Sequence, residues 1–186
     1  MKISIYLTLG LVVGVLLIGV GIGYSLTSEY KISAYESNAM NLGFPDRTFD
    51  LRYVNAMISH HRGAMLLAEQ LKSNSARPEM KALAEDILTS EPSAIEELYS
   101  WKRAWYGDTK TVRDPIVANL GSSGEKFDLR FLNAMITHHE VGVMMARETQ
   151  TKSSRVEVID NAFAVDAFLS GGIETLSGLR KDWYSI

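Results

Sequence analysis

The chain has 186 residues, a formal net charge of −3 and no cysteine. No run of lysine or arginine interrupts this mild acidity, so the electrostatic footprint of a nucleic-acid binder is missing. Without thiols there are no disulfides, no thiolate metal sites and no cysteine nucleophiles.

After Met1 and Lys2, residues 3–26 carry no charge, and the polar interruptions are Ser4, Tyr6, Thr8, Tyr24 and Ser25. About 20 such residues span a bilayer core at a rise of about 1.5 Å each. A secretory signal has a shorter apolar region and small residues at its cleavage site, for which Gly21-Ile22-Gly23 is a poor substitute. Residues 1–27 are therefore expected to form an uncleaved, single-pass transmembrane signal anchor, the alternative being a cleaved signal. The rest of the chain is then expected on the extracytoplasmic side, periplasmic or extracellular. Residues 28–48 read as a polar tether, with Asp46 or Thr48 available to cap a helix starting at Phe49.

The stretch FDLRYVNAMISHH (49–61) returns as FDLRFLNAMITHH (127–139), identical at ten of thirteen positions and offset by 138 − 60 = 78 residues. The same offset maps Arg77 onto Arg155, Trp105 onto Trp183 and Tyr106 onto Tyr184. The chain is thus a duplication with units at 49–107 and 127–185 and a linker at 108–126. In the first unit, Val54, Met57, Ile58, Ala64, Met65, Ala68 and Leu71 recur at helical spacing and predict a helix from Phe49 to about Lys72. Ser73 to Ser75 is the turn. Pro78 suits a first helical turn, and an apolar stripe then runs to Trp105, with Gly107 as the stop. The linker contains Pro115 and Gly121-Ser122-Ser123-Gly124, with a short apolar turn expected at 116–120. The second unit predicts helices from Phe127 to about Gln150 and from Arg155 to Tyr184. No segment alternates with period two, so residues 49–186 are expected to fold as one all-α domain, a four-helix bundle of two antiparallel hairpins.

All four histidines lie in the two His-His pairs, His60-His61 and His138-His139. Met57 precedes the first pair by three and four residues, and Met65 follows His61 by four, so thioether and imidazole groups share adjoining helical turns. Met135 repeats the placement before the second pair. Val143 replaces Met65 there, and sulfur reappears at Met145, two turns beyond His138. Imidazole with thioether and no thiolate suits Cu(I) and related soft ions. Opposite the first pair, an antiparallel partner falls near residue 90, where Glu91 interrupts an apolar stripe. A carboxylate there is costly to bury unless it is paired or metal-bound, and Pro92 removes a helical hydrogen bond. The second unit has Gly171-Gly172 at the matching level and Leu169 in place of Glu91, so the first unit is expected to dominate metal binding.

Two readings of the pairs stand side by side. In one they bind metal with Met57, Met65, Met135, Met145 and Glu91; in the other they are hydrogen-bonded core residues of a structural or interaction module, with Glu91 reaching water at a kink. Enzyme chemistry is not expected. The Glu-x-x-His motifs of a di-iron bundle are missing, as is the His-Glu-x-x-His of a zinc protease. Ser59 and Thr137 adjoin the pairs, but residues one apart on a helix do not face each other.

The motif formed by Asp50, Tyr53, Val54, Met57, Ile58, His60 and His61, repeated by Asp128, Phe131, Leu132, Met135, Ile136, His138 and His139, resembles that of the domain of unknown function 305 (DUF305) family. The resemblance covers both units. It implies a ferritin-like four-helix bundle, commonly exported, with some members regarded as periplasmic copper- or silver-binding proteins. Carried over by position, it implies metal contact by His60, His61, His138, His139, Met57 and Met135. Ser59 and Thr137 stand where the family usually has proline, Glu91 where glutamine is expected, and Ala94 in place of a frequent glutamate.

Overall fold

The computed structural model describes residues 41–186, so the anchor expected at 1–27 and most of the tether expected at 28–48 lie outside the described residues. Among the described residues there are four long helices and no strand: α1 (Phe49–Asn74), α2 (Pro78–Tyr106), α3 (Phe127–Lys152) and α4 (Val156–Tyr184). None of them is long and apolar enough to cross a membrane.

The helix boundaries follow from the residues at each end. Asp46 Oδ1 accepts the Thr48 amide at 2.8 Å and, with Thr48 Oγ1, receives the Arg52 guanidinium, folding the approach onto the first turn of α1. Thr48 occupies the N-cap position without a side-chain cap bond. Pro78 opens α2, where its missing amide hydrogen is not needed. Gly107 closes the helix at φ 61°, a left-handed conformation that glycine adopts without a Cβ clash. The weak helix formers inside the second helices do not break them, since α2 is continuous through Pro92 and α4 through Gly171-Gly172.

The two hairpins meet through their first helices. The substantial helix contacts are α1 with α2, α3 with α4, and α1 with α3. Burial follows this pattern: α1 and α3 carry most of the core, including Tyr53, Val54, Met57, Phe131, Leu132 and Met135, whereas α2 buries Met80, Ala84, Leu98 and Lys102, and α4 Val158, Ala162, Leu169 and Leu176. A central antiparallel pair is thus flanked by two outer helices that are not packed on each other. The stripes of α1 and α3 are buried, whereas most of the α2 stripe, including Leu83, Ile87, Ile95 and Trp101, is half-buried and borders the space between the outer helices.

The duplication also places matched clasps between the hairpins. The Arg77 guanidinium lies 4.3 Å from the Trp183 ring and 3.4 Å from Asp128, and Arg155 lies 4.1 Å from the Trp105 ring and 3.6 Å from Asp50. Each such cation–π contact is worth about 0.5–1 kcal/mol at an exposed site, less than burying one leucine at about 1.5–3 kcal/mol. The clasps therefore set the register of the hairpins, while the α1–α3 core supplies the stability. The linker runs along α1 without the short apolar turn expected at 116–120. It is held by Gln70, which donates to the Ala118 carbonyl at 3.0 Å and accepts the Leu120 amide at 2.9 Å, and by the Arg62–Asp114 pair. Those bonds use the backbone groups a helical turn would have paired internally. Pro115 and Leu120 are buried while Ile116 is exposed.

Candidate metal centre

The crossing of α1 and α3 brings all four histidines to one level. His60 and His138 stack with ring centroids 3.9 Å apart and planes 4° from parallel. His61 and His139 flank this stack at 6.2 Å from His60 and 6.5 Å from His138, respectively. Successive residues on a helix are ~100° apart, so each pair sends one ring to the interface between the first helices and the other toward the outer helix of its own hairpin. Small residues make room for these rings. A Cβ added at Gly142 would overlap Leu169 Cδ1 and stand 2.6 Å from His60 Nε2, one at Gly172 would stand 2.6 Å from His139 Nδ1, and one at Gly63 3.0 Å from His138 Cε1.

Hydrogen bonds decide which nitrogens keep a lone pair. His138 Nε2 donates to the His60 carbonyl at 3.1 Å, which leaves the lone pair of His138 on Nδ1. His61 Nδ1 contacts Glu91 Oε2, with both side chains largely buried, so the carboxylate orients the ring and directs the Nε2 lone pair away from it. Nδ1 of His139 is buried with no hydrogen-bond partner among the described residues. Burial holds the pKa of His60 well below the ordinary histidine range, and the neighbouring His138, His61 and His139 lower it further. Burial, aided by His138, lowers that of His139 to about 4, against a hydrogen bond with the Leu169 backbone that works in the opposite direction. Both rings are therefore neutral at pH 7, the form that binds metal.

A cavity of 210 Å³ is lined by all four histidines together with Met57 and Glu91. The other thioethers are distributed around it. Met135 lies at the base of an adjoining groove that His139 also lines. Met145 packs with His60 and His138 on the opposite side of the stack, beneath Pro115. Met65 is not brought to the histidines and lines a surface groove with Arg62, Pro92 and Tyr99. Four residues advance a helix ~400°, and the extra ~40° carries Met65 from the level of His61 onto the face of Arg62 and Glu69.

Among the described residues, no three histidine or carboxylate side chains are already arranged around a common metal position. The stacked rings explain this, because parallel faces turn the nitrogens of His60 and His138 outward along their edges. The cavity offers four imidazole edges, of which those of His60 and His139 are neutral, together with the Met57 thioether on the same wall. That donor set fits a soft ion accepting few ligands better than one demanding a preformed oxygen-rich shell. Asn161, Ala164, Val165 and Phe168, which complete the lining from α4, carry no direct signal in the sequence pattern. The 78-residue offset pairs Gly142 with Ala64 and Gly172 with Ala94, a change to glycine at both ring contacts that was visible in the duplication.

The model for the family described as "Domain of unknown function (DUF305)" matches residues 50–117 and 114–180. The solved structure "CopM in the Cu(I)-bound form" is 27% identical, covers 73% of this chain and 97% of its own, and superposes with a TM-score of 0.64; "CopM in the Ag-bound form (by co-crystallization)" gives the same values. A DUF305 fragment from Deinococcus radiodurans has the same fold at 24% identity, covering 70% of this chain and 93% of its own, with a TM-score of 0.60. No curated protein matches the chain. The chain belongs to the DUF305 family, of which it carries two tandem units.

Proposed function

We propose that this protein binds copper as cargo, with Cu(I) favoured over Cu(II) and Zn(II), for sequestration, delivery or tolerance. The observation that carries this reading is the convergence of four imidazoles, of which burial keeps His60 and His139 neutral, on one cavity that also holds Met57. It is supported by the similarity to CopM, whose solved structures include Cu(I)-, Cu(II)- and Ag-bound forms. His60, His61, His138, His139 and Met57 are the proposed ligands. Glu91 orients His61, and Met135 and Met145 lie at neighbouring positions from which a thioether can join. Competition titration with a Cu(I) chelator, repeated with Zn(II), tests the assignment. Equal preference for zinc, or undiminished copper binding after all four histidines are replaced, overturns it.

The second reading, a structural or interaction module, draws on the hydrogen bond from His138 to the His60 carbonyl and on the absence of a preassembled three-ligand group among the described residues. The same titration separates the two, since a structural cluster loses stability on histidine replacement without having bound copper at all.

The proposal extends to location. Residues 3–26 form an uncharged apolar run of bilayer-spanning length, and we place the bundle on the extracytoplasmic side of a membrane, held by this single segment. Carbonate extraction and protease shaving of spheroplasts test the two parts. Release by carbonate, or full protection of the bundle in spheroplasts, refutes the placement.

A further inference from the structure

The duplication builds the groove between the outer helices twice, and the two copies differ in one respect. One is the 210 Å³ cavity that all four histidines line; the other is an adjoining groove of 660 Å³ that shares His139, Glu91 and Phe168 with it. The 78-residue offset relates the two repeats. Leu179, on the wall of the larger groove, corresponds to Trp101, which stacks on Trp105 at 5.0 Å and packs against the core. Phe168, on the wall of the first cavity, corresponds to Ser90. At these two corresponding positions the larger groove has Leu179 and Ser90 where the other repeat has Trp101 and Phe168, and Phe168 itself also borders the larger groove from α4.

The open groove has an apolar interior formed by Met80, Leu83, Ile87, Leu176, Leu179 and Trp183, with Met135 at its base. Its charged residues are Glu79, Asp86 and Glu91, and no lysine or arginine lines it. Glu91 already contacts His61, which leaves Glu79 and Asp86, both exposed at the rim, as uncommitted negative charge. A volume of 660 Å³ falls in the range of small-molecule pockets, about 300–1,000 Å³. We propose that this groove binds a compact hydrophobic cation, an aromatic or branched apolar body carrying a quaternary or protonated amine. The apolar walls take the body, and the two carboxylates select the positive charge at the mouth. This assignment does not require copper, and the groove meets the histidine cavity only at Ala64, Glu91, His139 and Phe168.

Photolabelling of the full, metal-free chain tests it. The probe is the (4-benzoylbenzyl)trimethylammonium cation, and the control is the anionic 4-benzoylbenzoate, which presents the same benzophenone body. Activated benzophenone inserts into C–H bonds, and labelled positions are read by peptide mass spectrometry. The expected result is labelling centred on the Met80 and Met135 peptides, several-fold stronger for the cation than for the anion. Leu179→Trp and Ser90→Phe, each importing the aromatic residue of the other repeat, should each reduce it about tenfold. Glu79→Gln with Asp86→Asn should bring the cation-to-anion ratio close to one. Copper titration of the same variants keeps the two assignments separate, because none of Leu179, Ser90, Glu79 and Asp86 lines the histidine cavity. Equal labelling by both probes, labelling indifferent to both filling variants, or a groove unlabelled because it is sealed in a dimer overturns the proposal.

Discussion

His60 and His138 stack face to face at 3.9 Å across the junction of the two repeat units. Two imidazolium ions could not be held at this separation inside a core without a large electrostatic cost, because the mutual repulsion of buried charges is poorly screened. Burial keeps the His60 ring neutral, so the stack does not meet that repulsion. It joins one ring from each hairpin, so the histidine cavity is built by both units together.

The first prediction concerns the shared cavity. The asymmetry expected from the sequence, with the first unit dominating, assumed separate sites, whereas all four rings line one space. His60→Ala/His61→Ala and His138→Ala/His139→Ala should therefore both lower Cu(I) affinity by at least about tenfold, the scale on which even an orienting partner of a ligand acts. Chelator competition on both double variants measures this. Retention of wild-type affinity by either one contradicts a shared site.

Glu91 gives a narrower prediction. Its contact with His61 Nδ1 fixes that ring, and such orienting partners are typically worth 10–100-fold in metal affinity. Glu91→Leu, which reproduces the residue found at position 169, should weaken Cu(I) binding within that range. Glu91→Gln should weaken it less, because a glutamine carbonyl still accepts from Nδ1. Equal losses in the two variants would indicate that the carboxylate charge, not ring orientation, is what matters.

The parts of this architecture that were legible in the sequence are those set by local chemistry. Helical periodicity, Pro78 at a helix start and Gly107 at a stop place all four helices within a few residues of their ends. The antiparallel estimate put Glu91 opposite the first histidine pair, and it contacts His61. The way the hairpins meet could not be read. An apolar stripe says that a helix face is buried but not which partner buries it. The convergence of His60 with His138, the diversion of Met65 to a surface groove and the gap between α2 and α4 all depend on the α1–α3 crossing. The difference between the repeats was present in the sequence as Phe168 against Ser90, but it acquires meaning only once both residues are seen to border the space between the outer helices.

Acid should destabilise the metal-free fold. The pKa of His139 falls from 6.5 to about 4 through burial, and that of His60 is lowered in the same direction. The unfolded chain thus binds more protons than the folded one in this window, and stability rises with pH. The contribution is fully present above pH 6.5 and is lost as pH falls toward 4, with His139 accounting for on the order of 3 kcal/mol at most. Urea unfolding at pH 7.5 and 4.5 measures the change, and His139→Gln should flatten the profile. A pH-independent midpoint between these values would show that the rings titrate normally.

The glycines of α3 and α4 supply a final test, in which identical substitutions have opposite expected signs. Within a helix, glycine is less favourable than alanine by roughly 0.5–1 kcal/mol, so Gly→Ala is stabilising wherever the methyl group fits. At Gly171 and Gly178 a Cβ meets nothing within 4 Å, and alanine there should raise stability by about that amount. At Gly172 the methyl would stand 2.6 Å from His139 Nδ1, and at Gly142 it would stand 2.6 Å from His60 Nε2 and overlap Leu169. Overpacking of this kind costs about 1–3 kcal/mol, more than the helix-propensity gain. Gly172→Ala and Gly142→Ala should therefore lower the unfolding midpoint while Gly171→Ala and Gly178→Ala raise it. Only the first two should also weaken Cu(I) binding, because only they displace a ring. The comparison of Gly171 with Gly172 is the most direct, since the residues are adjacent in α4 and share its helical environment but face different neighbours. If alanine raised stability equally at both positions, the close approach of His139 to α4 would not hold in solution.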